Sequence, residues 1–166
     1  MAETESLAHK FDPVYNKESR VLVLGTFPSA KSREMNFYYG HPQNRFWRVV
    51  AVLTKQQVPQ DVPARKNMLL SAHIAVWDVV KSCTITGAAD ASIRNVVPND
   101  INQILKEAPI QQIFANGAKA YELYRKYQQP LTKKEAVRLP STSPANAACS
   151  FEKLCEAWQV ITEFLL

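Results

Sequence analysis

The spacing of apolar and polar residues changes several times along this chain, and each change marks an element. RVLVLG at 20–25 shows no polar alternation and is built of leucine and valine, which predicts a short strand covered on both faces. HIAVWDVV at 73–80 reads the same way. IQQIFANG at 110–117 gives a third strand ending at Gly117, and EAVRLPSTS, residues 135–143, a fourth that runs into a loop. Helical spacing fills the intervals: NRFWRVVAVL at 44–53 behind an Asn44 N-cap, Pro63 to Ser71, Asp100 to Glu107 stopped by Pro109, and AKAYELYRKY at 118–127. A last helix, FEKLCEAWQVITEFLL, follows a capping Ser150 and gathers Phe151, Leu154, Cys155, Trp158, Ile161 and Leu165 on one face. CTITGAADASI, residues 83–93, reads as a surface loop.

Strands that alternate with helices predict an α/β fold with a short, mainly parallel four-stranded central sheet, and ligands of such sheets bind beyond the carboxyl ends of the strands. That rule collects segments far apart in the chain. It brings to one edge the loop GTFPSAKSREMNFYYGHPQNRFW at 25–47, Asp78, Asn116 and PSTSPAN at 140–146. The first loop has neither a period of 2 nor one of 3.6, yet it carries two prolines, adjacent tyrosines and many hydrogen-bonding side chains, so packing alone does not account for it.

Composition narrows the picture. The 166 residues, 46% hydrophobic, suit one globular domain at 20–166 after a polar lead-in at 1–19 anchored near Phe11. A formal charge of +5 and a pI near 9.2 suit a polyanionic partner, although the basic residues are scattered. Lys133 and Lys134 read as a solvated loop, and Trp47, Trp77 and Trp158 as core. Three cysteines with no CxxC pair fit a reduced compartment, and three histidines without zinc-like spacing predict no metal. The polar N-terminus is unlike a signal peptide and no apolar run approaches the roughly 18 residues of a membrane span, so a soluble intracellular protein of cytosol or nucleus is expected.

The GTFPS turn, YYGHPQNRFW, the WDVV strand end, the FANG turn and LPSTSPANA, taken in that order, resemble the uracil-DNA glycosylase superfamily. Within it the pattern is most similar to the deoxyinosine (hypoxanthine) DNA glycosylases, then to the mismatch-specific uracil/thymine enzymes, over residues 18–165. The resemblance implies a three-layer α/β/α sandwich and a monomeric, monofunctional enzyme. Such an enzyme flips a deaminated base out of double- or single-stranded DNA and hydrolyses its glycosidic bond without a cofactor. Uracil is the alternative substrate. A silent nucleic-acid or nucleotide-binding domain on the same fold is the alternative class.

The resemblance also implies roles. Related uracil enzymes carry a water-holding Asn or Asp two residues beyond the first Gly, where this chain has Phe27, a substrate-pocket residue; the deoxyinosine group implies that Asn44 takes over the water. As a plain residue Asn44 is a helix cap, and the two roles are compatible. Tyr39 stands where relatives stack an aromatic on the flipped base. Asp78 occupies the base-reading position; an ionised carboxylate only accepts, which suits the N1–H of hypoxanthine and opposes adenine, while the plain alternative is a bond to backbone amides at the strand end. Asn116 implies a supporting catalytic role or a turn. Ser29, Ser32, Ser141 and Ser143 are phosphate-gripping or turn-forming serines, and PANA, with Pro144 and Asn146, matches the segment that enters the duplex.

Overall fold

The computed structural model describes residues 4–86 and 92–165. Val21–Gly25 forms β2, and Val21, Leu22, Val23 and Leu24 are all buried, as an apolar run without alternation requires. It lies in the middle of a parallel sheet between β3 (Ile74–Asp78) and β6 (Gln112–Asn116), with β7 (Ala136–Leu139) at the far edge of β6. Helices flank this sheet. Helix α3 (Val62–Ser71) packs on β3, α5 (Ala118–Tyr127) on β6 and β7, and α2 (Phe46–Thr54) against α7 (Phe151–Trp158). Trp47, Trp77 and Trp158 are buried in the core.

Several boundaries depart from the expectations of the sequence. Asp61 rather than Pro63 opens α3, with its carboxylate accepting from the Ala64 amide at 2.8 Å. The last helix changes pitch, from α to a 3₁₀ turn at Gln159–Phe164. Within the aperiodic first loop, Ala30–Met35 forms a short helix α1, capped at its start by Ser29 and closed by Asn36 in the left-handed region.

The larger correction is a second sheet. β4 (Val80–Thr86) takes in the first four residues of the segment read as a surface loop, β5 (Arg94–Pro98) begins just after it, and β1 (Thr4–Ala8), in the supposed lead-in, pairs with β4. Residues 87–91 of that expected loop lie outside the described residues. All three strands are antiparallel neighbours in the order β1-β4-β5. The sequence hid this because Val80, Cys83 and Ile85, the buried residues of β4, are interleaved with Ser, Thr and Lys at uneven spacing, so no sustained period of 2 marks the strand. Val14 extends the tie by exchanging both backbone hydrogen bonds with Val76. The remaining described helices are α4 (Asn102–Glu107) and α6 (Gln129–Thr132).

Candidate active site

Across the parallel sheet the strands run second, first, third, fourth in chain order, so the connections leave β2 and β6 in opposite directions. A crevice opens at that reversal, outside the strand ends. There the structure holds a cavity of about 540 Å³ that takes in Gly25, Phe27, Ser29, Ser32, Tyr39, Asn44, Asp78, Asn116, Ser141 and Ser143. Nine of these are residues singled out from the sequence, which the fold has brought to one place. Pro144 and Asn146 sit in the adjoining loop without lining the cavity.

Asn44 lies half-buried at the mouth of α2. Its Oδ1 accepts the Phe46 amide at 2.9 Å, while the helix assignment puts Arg45 at the cap position itself. The carboxamide is therefore oriented by the helix start. One lone pair of Oδ1 is used there, and the residue also lines the cavity. His41 serves the same loop, its Nδ1 accepting from the Gln43 amide at 3.1 Å.

Arg45 fastens this loop to the next one. Its guanidinium donates to the carbonyls of Ser143, Asn146 and Cys149, and its amide donates to Thr142 O at 3.0 Å. Across the cleft, Asn116 and Thr142 form a reciprocal pair: Asn116 Nδ2 donates to Thr142 Oγ1 and the Thr142 amide donates to Asn116 Oδ1, each at 3.0 Å. The end of β6 is thereby locked to the loop after β7. Gly117 follows at φ 98°, a conformation that favours glycine. Thr142 and Arg45 escaped notice in the sequence because a Thr between two serines and an Arg after an Asn have no periodic or motif signal.

The serines divide by burial. Ser32 is 1% exposed, and its hydroxyl accepts the Gly40 amide at 2.8 Å and a hydrogen bond from Ser29 at 3.2 Å. It staples the loop together, so the phosphate-gripping reading is corrected: a hydroxyl so enclosed does not reach a DNA backbone. Ser29 is exposed and caps α1. Ser141 and Ser143 accept from the amides two residues on, Ser143 and Ala145, as turn-forming serines do. Asn146 donates to Ser141 O at 3.0 Å, closing the loop on itself.

Tyr39 takes a left-handed backbone at φ 52°, held by Trp47 Nε1 donating to its carbonyl at 3.2 Å. One face of its ring stacks on Phe46, centroids 4.1 Å apart and planes 18° off parallel. Its hydroxyl faces the cavity close to the Asn116 carboxamide, which favours its ionised form slightly without making a hydrogen bond of good geometry. Burial, and next the Asp78 carboxylate, push this phenol far above its usual pKa, so it stays protonated and can donate. Gly25 makes room below: a Cβ there would lie 2.5 Å from Asp78 Oδ1 and 3.1 Å from the Tyr39 hydroxyl, so both oxygens converge over the bare glycine.

Asp78 is 4% exposed. Rather than the strand-end amides expected of a plain aspartate, its Oδ2 faces His9 Nε2 at 2.9 Å. Its backbone is pinned as well, its carbonyl accepting from Asn99 Nδ2 at 2.9 Å, and Gln128 Nε2 bridging Val79 O and Asn99 O. Beside it Phe27 is half-buried, with the Arg33 guanidinium 5.9 Å from its ring centroid. Among the described residues no cluster of three or more His, Cys, Asp or Glu side chains could hold a metal ion. No helix there is long and apolar enough to cross a membrane.

Residues 13–164 match the model of a family described as the uracil DNA glycosylase superfamily. The chain is 32% identical over 157 residues to a hypoxanthine DNA glycosylase of Methanosarcina acetivorans, covering 91% of this chain and 95% of that one. A second hypoxanthine DNA glycosylase, from Methanosarcina barkeri, is 30% identical over 114 residues, covering 68% and 72%. A solution NMR structure from Methanosarcina acetivorans, described as a candidate uracil DNA glycosylase, superposes with a TM-score of 0.80 at 29% identity, covering 93% of this chain and 96% of that one.

Proposed function

The chain belongs to the uracil DNA glycosylase superfamily, and from that premise we propose that it removes hypoxanthine from deoxyinosine in DNA by hydrolysis, the opening step of base-excision repair. The pair of oxygens over Gly25, a buried carboxylate that accepts and a hydroxyl that donates, supports rejection of adenine; uracil and guanine offer the same N–H beside a carbonyl, so the choice of hypoxanthine over them rests on the similarity to the hypoxanthine DNA glycosylases. Hypoxanthine presents N1–H beside O6. Adenine presents the reverse, an acceptor at N1 beside an amino donor, and so meets two mismatches in the same place.

In this reading the flipped nucleotide enters the cavity, Asp78 Oδ1 accepts from N1–H, and the Tyr39 hydroxyl donates to O6. A water held by the Asn44 carboxamide attacks C1′. Its oxygen bonds to C1′ while the C1′–N9 bond breaks, the electron pair leaves on the base, and the water's proton ends there too. Negative charge developing on the base spreads onto O6, where a preplaced donor is most useful. An amide orients water but is a poor base, so Asn44 acts by positioning.

Incubating the protein with matched duplexes holding one deoxyinosine or one deoxyuridine, followed by alkali, tests the reading. Breaks should appear at deoxyinosine and fewer, or none, at deoxyuridine. The reverse order would make uracil the substrate, and binding without breaks would leave a silent DNA-binding domain. Affinity should fall as salt rises, because phosphate contacts release counterions.

Tyr39→Phe separates the hydroxyl from the ring. An unmet buried hydroxyl costs about 1–3 kcal/mol, so the thermal midpoint should hold or rise while single-turnover cleavage of deoxyinosine falls about tenfold or more. Unchanged cleavage would remove the hydroxyl from base contact.

A further inference from the structure

His9 lies 69 residues from Asp78 in sequence, in a stretch whose composition promised nothing, yet its Nε2 is 2.9 Å from Asp78 Oδ2 and both side chains are nearly inaccessible, at 3% and 5%. The second sheet delivers it. β1 runs antiparallel to β4 with Leu7 opposite Cys83 and Ala8 opposite Ser82, and the His9 amide donates to Lys81 O at 2.7 Å. That register ends beside the junction of β3 and β4, where Asp78 stands. The imidazole is then wedged among aromatic rings, its centroid 4.5 Å from Phe11, 5.8 Å from Tyr38 and 6.2 Å from Phe27. Tyr38 is itself fixed by donating to Asp12 O at 2.8 Å, so the histidine has little freedom to turn away.

We infer that His9 is a positioning residue that makes Asp78 usable as the base reader. The inference rests on Asp78 reading the base as proposed above. A carboxylate beside a base that departs with negative charge works against the reaction it helps to select. Nε2–H donation draws charge onto the Oδ2 side, fixes the carboxylate plane, and leaves Oδ1 as the one acceptor turned to the pocket. Base reading as proposed needs an ionised Asp78, which offers no hydrogen, and in that arrangement Nε2 supplies the proton of this bond. Loss of the donor leaves a buried carboxylate free to turn, so Oδ1 is no longer held as the acceptor that opposes the N1 lone pair of adenine. These effects fall on the chemical step and on base choice rather than on DNA affinity.

The test compares wild type, His9→Ala, His9→Gln, Asp78→Asn and the His9→Ala/Asp78→Asn double variant on duplexes with one deoxyinosine, deoxyuridine or unmodified deoxyadenosine. His9→Ala should slow single-turnover deoxyinosine cleavage about tenfold to a hundredfold, the worth of a charge-assisted bond, with DNA affinity within about twofold of wild type and a raised share of adenine release. Glutamine, whose Nε2 can donate from a similar place, should restore most of the rate. In the Asp78→Asn background the alanine change should add little, and the ¹⁵N resonance of His9 Nε2 should move on Asp78→Asn. An unaltered rate and base order in His9→Ala, or the same loss with and without Asp78, overturns the inference while wild-type cleavage still supports the glycosylase. Should His9→Ala not fold, glutamine rescue together with the Nε2 resonance decides: a Gln variant with wild-type rate and a resonance sensitive to residue 78 supports the pair, and an insensitive resonance refutes it. No deoxyinosine cleavage by wild type sinks the glycosylase reading and this inference together.

Discussion

Asn44→Ala is expected to lower single-turnover cleavage of a deoxyinosine duplex by about two to three orders of magnitude, the usual loss when a preplaced polar group is removed from a reacting centre. The same change removes the oxygen that receives the Phe46 amide just ahead of α2, and losing that hydrogen bond costs about 1 kcal/mol of stability. The two effects separate with Asn44→Ser. A serine oxygen can accept the same Phe46 amide two residues on, so it should return the thermal midpoint toward wild type, but the hydroxyl is too short and lacks the amide needed to hold a water over C1′. Rate that returns along with stability would reduce Asn44 to a helix-building role. Calorimetry and rapid-quench cleavage on the same three proteins read both quantities.

Asp78→Asn should change which bases leave more than how tightly DNA binds. The amide can present either a hydrogen or a lone pair to the base edge, so the rejection of adenine weakens, while deoxyinosine loses its charged acceptor. A good acceptor–donor match is worth about 1–3 kcal/mol, so the ratio of hypoxanthine to adenine release should drop about tenfold to a hundredfold. Folding should survive, since Asn99 and Gln128 hold the backbone of this turn through carbonyls that the substitution leaves in place. Competition among the three duplexes in one tube measures the ratio directly; an unchanged order in a folded variant removes Asp78 from base reading.

The strands β2, β3 and β6 could be read from the chain because each is an apolar run buried on both faces, whereas β7, with Arg138 exposed and only Leu139 buried, is short and half covered. The site could be gathered from the same strands, since their carboxyl ends must lie together: Asp78 and Asn116 end β3 and β6, and Asn44 and Tyr39 lie on the loop after β2. Motif resemblance then supplied roles that periodicity cannot supply. What escaped were contacts made by pairing. β1 and β4 are polar strands whose register, rather than their hydrophobicity, sets His9 against Asp78. Arg45 and Thr142 were missed for a related reason: their partners are backbone carbonyls or an amide pair reached only after two loops close on each other. Ser32 shows the opposite error, a polar residue in a loop that turns inward to satisfy the Gly40 amide. Tyr39 falls between, because its position in the pocket follows from the strand ends, but the stacking of one face on Phe46 and the unmet hydroxyl are facts of packing.

In this reading a water displaces intact hypoxanthine from the sugar. Mass spectrometry of the small molecules released from a deoxyinosine duplex tests it most directly, because strand breaks alone do not distinguish base loss from backbone cleavage. Free hypoxanthine should appear in amounts equal to the abasic sites formed, from the wild-type protein and only in trace from Asn44→Ala. Nicked DNA with deoxyinosine still attached, or no free base at all from a folded wild-type protein, would rule out hydrolytic removal of hypoxanthine.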